Sequence, residues 1–580
     1  MILRSIALTI TATVLSATAV PQGAAQSMAQ NPAMSHHDHS MPAKYRDLPP
    51  PPLMQGIGDA SLKITTTSAA AQQYFNQGLR LLHCFWDFEA YRAFKEAARQ
   101  DPDAPMAYWG EFEALKMNGP MSDQTRAALD KAKSLMAKAS DHEQFYIRAA
   151  EHEVDWDKSG EPEAYRHEME SLIDKYPDDV DAQAFLALAL MGGYDADGHP
   201  RDTTLYSQSL LRNILAAHPD NAAANHYWIH AMEDSSRPEA ALHSADILAS
   251  LAPNSGHMVH MPGHIYWRVG DYEKARQSFL ASVHVDESYM AAEGIKPQED
   301  WNYPHNLAYL IAACAESGRY REGLEWAKKL RDFQLPIHMT TGNFVVWAGA
   351  SVARVHIVFG DWKAVPEDPI VFGVDPSTAS APAKEYSDGL NTYAKGMAAI
   401  EAKDFAEASK QAETLEAQLW RLQSAEPEKK TDAESDPAPN ENFDQILKIL
   451  GTMSLDLRGN LDIARGDAEQ GISLIQQAAD KEKTLGYSEP PHYFRPEEES
   501  LGYAYLKLKQ WDKARDAFTA ALHQRPKSGH ALYGIAQSYA LSGDTASATT
   551  AYQAFLAAWP HADADLPQVQ QAHSWLATHN

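Results

Sequence analysis

The chain returns to the same residue pattern every 34 positions, which limits it to folds made by stacking one unit. Pro526 and Pro560 stand 34 residues apart, and so do Pro219 and Pro253. The residues before such prolines alternate in size in the same way. Leu501, Gly502, Tyr505, Ala514, Phe518 and Ala521 precede Pro526, and Ile535, Ala536, Tyr539, Ala548 and Tyr552 precede Pro560. Tyr74, Gly78, Leu81, Ala90, Phe94 and Ala97 precede Pro102 near the other end. Small residues let two antiparallel helices approach closely, and large ones fill the gap to the next unit. Proline ends the second helix, because it has no N–H and clashes with the turn before it.

This pattern resembles the tetratricopeptide repeat, most sharply at both ends and over 219–332. The resemblance implies an all-α fold, an α-solenoid of helical hairpins with Pro-rich and acidic loop insertions. The expected organisation begins with a signal peptide (1–25) and a disordered Met/His/Pro-rich tail (26–60). N-terminal and central repeats follow (68–364), then a loop (365–386) and a helical pair (387–423). An acidic linker (424–442) leads to C-terminal repeats (443–580). The aromatic, proline-rich stretch 486–506 reads as an ordered lead-in that packs on the solenoid.

The basic start Met1–Arg4, the apolar run Ile6–Val20 and the small residues Gly23-Ala24-Ala25 predict a cleaved secretory signal. Export, into the periplasm of a Gram-negative source, is the expectation. No later run approaches the roughly 18 apolar residues of a membrane span. A formal charge of −28 argues against nucleic-acid and anionic-membrane partners, since binding phosphate needs a basic surface. The two cysteines, Cys84 and Cys314, are able to pair in an oxidising compartment but stand 230 positions apart and read rather as buried free thiols; they are too few for a Cys-rich zinc module. In the tail, Met28, Met34, His36, His37, His39 and Met41 combine thioether and imidazole donors that suit weak copper capture.

The central repeats hold the more ordered chemistry. His226 and His230 lie 34 residues before His260 and His264, so one histidine pair is repeated in register. His257 shares the second helix, and His305 falls opposite it when Gly318 is aligned with Gly270. Spacings of three and four put these side chains on one helical face. The resemblance to tetratricopeptide-repeat proteins adds that this face lines a concave groove. His226, His230, His257, His260, His264 and His305 are therefore candidate metal ligands, for copper or zinc. Glu233, Asp234 and Asp300 are candidate partners that orient imidazoles, or simple helix-end residues. Trp228, Trp267 and Trp301 flank the histidines as packing residues.

No HExxH, GxSxG or P-loop occurs, so zincin, serine-hydrolase and nucleotide-hydrolysis chemistry have no motif here. Glu111 and Glu113 are two apart and do not share a helix face. Two functions remain. One is a repeat scaffold with a transition metal in its histidine-lined groove, open to metal-dependent catalysis on a small molecule. The other is a metal-free module that docks a peptide or partner protein in that groove. Nothing in the sequence names a reaction.

Overall fold

The computed structural model describes residues 49–579 apart from 117–120, 157, 196–197, 298–299, 301, 333–347, 372–380, 425–438, 487 and 489. The signal peptide, the Met/His residues of the tail, Trp301 and most of the acidic linker lie outside the described residues. Among the described residues the chain is helix after helix with no β-strand, and no helix is long and apolar enough to cross a membrane. Successive helices pair as antiparallel hairpins, such as Ala69–His83 with Asp87–Gln100 and Gly529–Ser542 with Thr545–Ala558. The small residues do what the pattern requires. A methyl group on Gly263 would come within 2.3 Å of Phe279 in the paired helix, and one on Gly502 within 2.7 Å of Phe518.

The turn inside each hairpin has one recurrent geometry. The residue five positions before the small residue of the second helix adopts a left-handed backbone, as Gly270 (φ 75°), Gly318 (φ 74°) and Gly543 (φ 85°) do. The next N–H then reaches back to the end of the first helix, as from Asp271 to the Tyr266 carbonyl at 2.7 Å. In the first hairpin this position is Phe85, with φ 53°.

Residues 49–60 and the C-terminal repeats both pack on the central repeats. Residues 49–60 fell within the predicted disordered tail, but they are packed: Ile57 is buried, and the Met54 N–H donates to Gln77 Oε1 at 2.8 Å. The Gly56 carbonyl accepts from the Asn254 N–H at 2.8 Å, tying this segment to the start of the histidine helix. The prolines of this segment suit an extended strap, and its apolar residues give the strap something to bury. From the other end, the Trp559 indole N–H donates to the Glu316 carbonyl at 2.7 Å, and buried Arg525 pairs with Glu316. Tyr493 and Phe494 of the lead-in are buried, and the Pro491 carbonyl accepts from Arg354 at 2.8 Å.

Helices replace parts of the two predicted interruptions. One runs Ala381–Glu401, beginning inside the predicted loop, and another begins at Pro439, inside the predicted linker. Cys84 and Cys314 are both buried free thiols.

Candidate metal centre

Local sequence fixes each histidine helix. Asn221 caps Ala222–Glu233 by accepting from the Ala224 N–H at 2.8 Å, and that helix carries His226 and His230 one turn apart. The next first helix begins at Ser255, whose side chain accepts from the Met258 N–H. It is interrupted at Pro262, which has no N–H to give, and splits into Gly256–His260 and Pro262–Arg268. His260 and His264 straddle that break. His305 sits in the first half of Asn302–Glu316.

A buried polar network locks these helices together. The Gly256 carbonyl accepts from Ser282 Oγ at 2.8 Å, and Ser282 Oγ accepts from the Asn306 amide at 2.5 Å. The Asp286 carboxyl receives the amides of both Asn302 and Asn306 at 2.6–3.1 Å. Burial above all, and then nearby Asp300, push the Asp286 carboxyl well above the ordinary carboxylate range. The network spans the residues beside His257 and His305 and sets where those two imidazoles stand.

All six predicted histidines come together, as two trios. His226, His230 and His257 bring one ring nitrogen each to within 4.8 Å of one another, and His260, His264 and His305 do the same. Each trio contains a pair whose ring nitrogens nearly touch. His226 Nε2 lies 3.1 Å from His230 Nε2, and His260 Nε2 lies 2.8 Å from His264 Nε2.

The opposite edges of the first pair fix its tautomers. His226 Nδ1 is 2.7 Å from the His83 carbonyl, which can only accept, so Nδ1 carries the hydrogen. His230 Nδ1 is 3.0 Å from Glu233 Oε1. Glu233 is buried, which by itself would raise its pKa. Positive charge on His230 and His264 is what holds it below the usual carboxylate range, and as a carboxylate it accepts from His230 Nδ1. With Nδ1–H on both rings, the Nε2 atoms face each other across a 3.1 Å gap that a neutral pair fills with two lone pairs and a singly protonated pair with a hydrogen bond. Burial first, and then His230, push His226 well below the ordinary imidazole range.

Of the three candidate orienting carboxylates, Glu233 alone is placed against two of the histidines, because its other oxygen lies 2.8 Å from His264 Nδ1. Asp234 caps the C-terminus of its helix, and Asp300 accepts from the Asn302 N–H at 3.0 Å. Trp228 and Trp267 are packing residues: Trp228 donates to the Ala240 carbonyl at 3.0 Å, and Trp267 meets Tyr272 edge-on. The side chain of His83 points away from the trios, to Tyr227 and Asp181.

The groove expectation needs correcting. Relative exposure of the six histidines runs from 0% at His226 and His260 to 9% at His230 and His305, so no open groove presents them. Two aromatic residues that the sequence did not single out close them in. The Phe85 ring, carried by the left-handed turn, packs 4.6 Å from His226, 5.2 Å from His230 and 5.5 Å from His257. The Tyr309 ring lies 4.6–4.9 Å from His305, His260 and His264. Tyr309 is one turn beyond His305 on its helix, a spacing that could have flagged it. Phe85 carried no such local signal.

Comparison with known proteins supports the repeat. Family models described as the tetratricopeptide repeat match residues 258–297 and 500–563, and the first match includes His260 and His264. No curated protein matches the chain. Similar solved structures include the Cut9–Hcn1 hetero-tetramer of the APC/C, at 14% identity over 87% of this chain and 76% of that one, with a TM-score of 0.27. Yeast Tom70 is similar at 10% identity over 88% of this chain and 95% of that one, with a TM-score of 0.29. The human IFIT1 dimer with m7Gppp-AAAA is similar at 14% identity over 86% and 91%, with a TM-score of 0.31. Nothing that those proteins bind carries over at such scores. The chain contains tetratricopeptide repeats at 258–297 and 500–563, within a fold of helical hairpins, an architecture that supports a protein-interaction scaffold.

Proposed function

We propose that this is an exported repeat scaffold whose central repeats hold a transition metal, copper or zinc, on the six histidines. One observation carries the reading: in the first trio two Nε2 atoms face each other at 3.1 Å, with both Nδ1 atoms against oxygens elsewhere. Two imidazoles bound to one ion at about 2.0–2.1 Å, at angles near 90–110°, hold their nitrogens about 2.9–3.4 Å apart. A cation between them satisfies such a pair, as a shared proton does, and the third imidazole of each trio brings a further nitrogen within 4.8 Å of the other two, as a metal ion uses.

Imidazole donors suit copper and zinc. Three protein nitrogens leave a coordination position open, as in metal sites that act on a small ligand. The burial of the histidines supports this reading over docking of a peptide, which would need them at an accessible surface. Export is supported by the basic, apolar and small-residue succession over 1–25.

Elemental analysis of protein purified without a His-tag tests the proposal. We expect bound copper or zinc, lost when His226, His230, His260 and His264 are together changed to Ala. Metal content unchanged in that variant would overturn the site and transfer the binding to the N-terminal Met/His tail.

A further inference from the structure

The two trios are one site made twice. His226 and His230 precede His260 and His264 by one period, and His257 corresponds to His305. A shift of one repeat therefore carries the first trio onto the second. The copies are also in contact. His257 of the first and His260 of the second lie on one helical turn, with ring centroids 6.0 Å apart and planes within 17°.

Glu233 joins them. One of its oxygens lies 3.0 Å from His230 Nδ1, in the first trio, and the other lies 2.8 Å from His264 Nδ1, in the second. The carboxylate is only 3% exposed, so its charge is poorly screened by water. Hydrogen-bonded to His230 and in ion-pair contact with His264, the carboxylate sets one negative charge between two cation sites. The repeat itself does not explain this residue. The position one period later is Trp267, so Glu233 serves both copies while occurring once.

We propose that the trios hold two metal ions at once, as a pair, and that Glu233 is the positioning residue common to both. The inference rests on the metal-binding reading above and adds the number of ions and their link. Charge favours copper(I) as the occupant. With a single carboxylate between them, two monovalent ions leave one excess positive charge, whereas two divalent ions leave three, and burial penalises the larger excess.

The test is an anaerobic titration of the full chain with copper(I) against a chromogenic chelator, and a parallel titration with zinc(II). The wild-type protein should take two ions per chain. His226→Ala/His230→Ala and His260→Ala/His264→Ala should each take one. Glu233→Gln preserves shape but removes the charge and one acceptor. It should weaken both remaining affinities, each by about 10–100-fold. X-ray absorption should count three nitrogens per copper in the wild type and fewer in Glu233→Gln. A purely structural role for Glu233 would instead lower the Tm of metal-free Glu233→Gln and leave the coordination number unchanged. That result would overturn its positioning role. Binding of neither metal would overturn the metal reading itself. One ion per chain would overturn the pair while leaving that reading intact. Two ions, of which Glu233→Gln weakens only one or neither, would overturn the shared carboxylate.

Discussion

Gly256 shows how little room the histidine helix has. A Cβ there would lie 1.8 Å from Asp286 Oδ1, and that carboxyl cannot retreat because it holds the amides of Asn302 and Asn306. Gly256→Ala should therefore cost about 1–3 kcal/mol through overpacking, read as a lower Tm. It should also weaken metal binding by shifting His257. An unchanged Tm would mean that the network is slack. The histidines were legible in the sequence because they repeat at the period of the fold. Glu233 was legible as one carboxylate among three. Asp286, Asn302 and Asn306 were not, because polar residues on a helix read as a solvated face until a second helix covers them. Glu113 is a similar case: nothing in its spacing from Glu111 marks it, yet it is buried and paired with Lys116 at 2.5 Å.

The hairpin turn makes Phe85 exceptional among its equivalents. Gly270, Gly318, Gly360, Gly466 and Gly543 take the left-handed backbone without a Cβ, and Lys403 and Lys509 take it too. At Phe85 the turn places a ring over the first trio, in a conformation that costs a non-glycine residue about 1–2 kcal/mol. Two substitutions separate backbone from ring. Phe85→Ala and Phe85→Gly both lose the buried ring and should both release metal from the first trio faster to a chelator. Phe85→Gly should nevertheless be the more stable of the two, by about 1 kcal/mol in denaturant unfolding. Equal stability would show that the turn is unstrained. Helix pairing was readable from residue size, and the break at Pro262 from proline chemistry. The aromatic cover was not readable, since Phe85 meets these histidines across more than 140 residues of chain, as the neighbouring His83–His226 contact does.

Residues 49–60 and the C-terminal repeats fold onto the central repeats, while the Phe85 turn of the first hairpin covers the first trio. The C-terminal side of this packing stores a pH dependence. Glu482, Glu497 and Glu499 are all buried around Arg525 and Tyr493. Burial, with Glu498 nearby, pushes Glu482 up to about 8, and burial pushes Glu499 up to about 7. The folded state therefore holds these protons more tightly than the unfolded chain. The stability they confer is complete below about pH 4.5, the ordinary glutamate value, and is lost as pH rises through about 8. Tm should fall between about pH 4.5 and 8, and Glu482→Gln should flatten that fall. An equal slope in the variant would contradict the assignment. A 34-residue pattern describes contacts between neighbouring repeats, so contacts such as Arg525 with Glu316, 209 residues apart, lie beyond what it encodes.

The most direct measurement is anomalous diffraction at the copper and zinc edges from crystals of untagged protein supplied with both metals. The account predicts a peak within bonding distance of His226 Nε2 and His230 Nε2, and a second within bonding distance of His260 Nε2 and His264 Nε2. Empty density between those nitrogens in the metal-supplied crystals would contradict it.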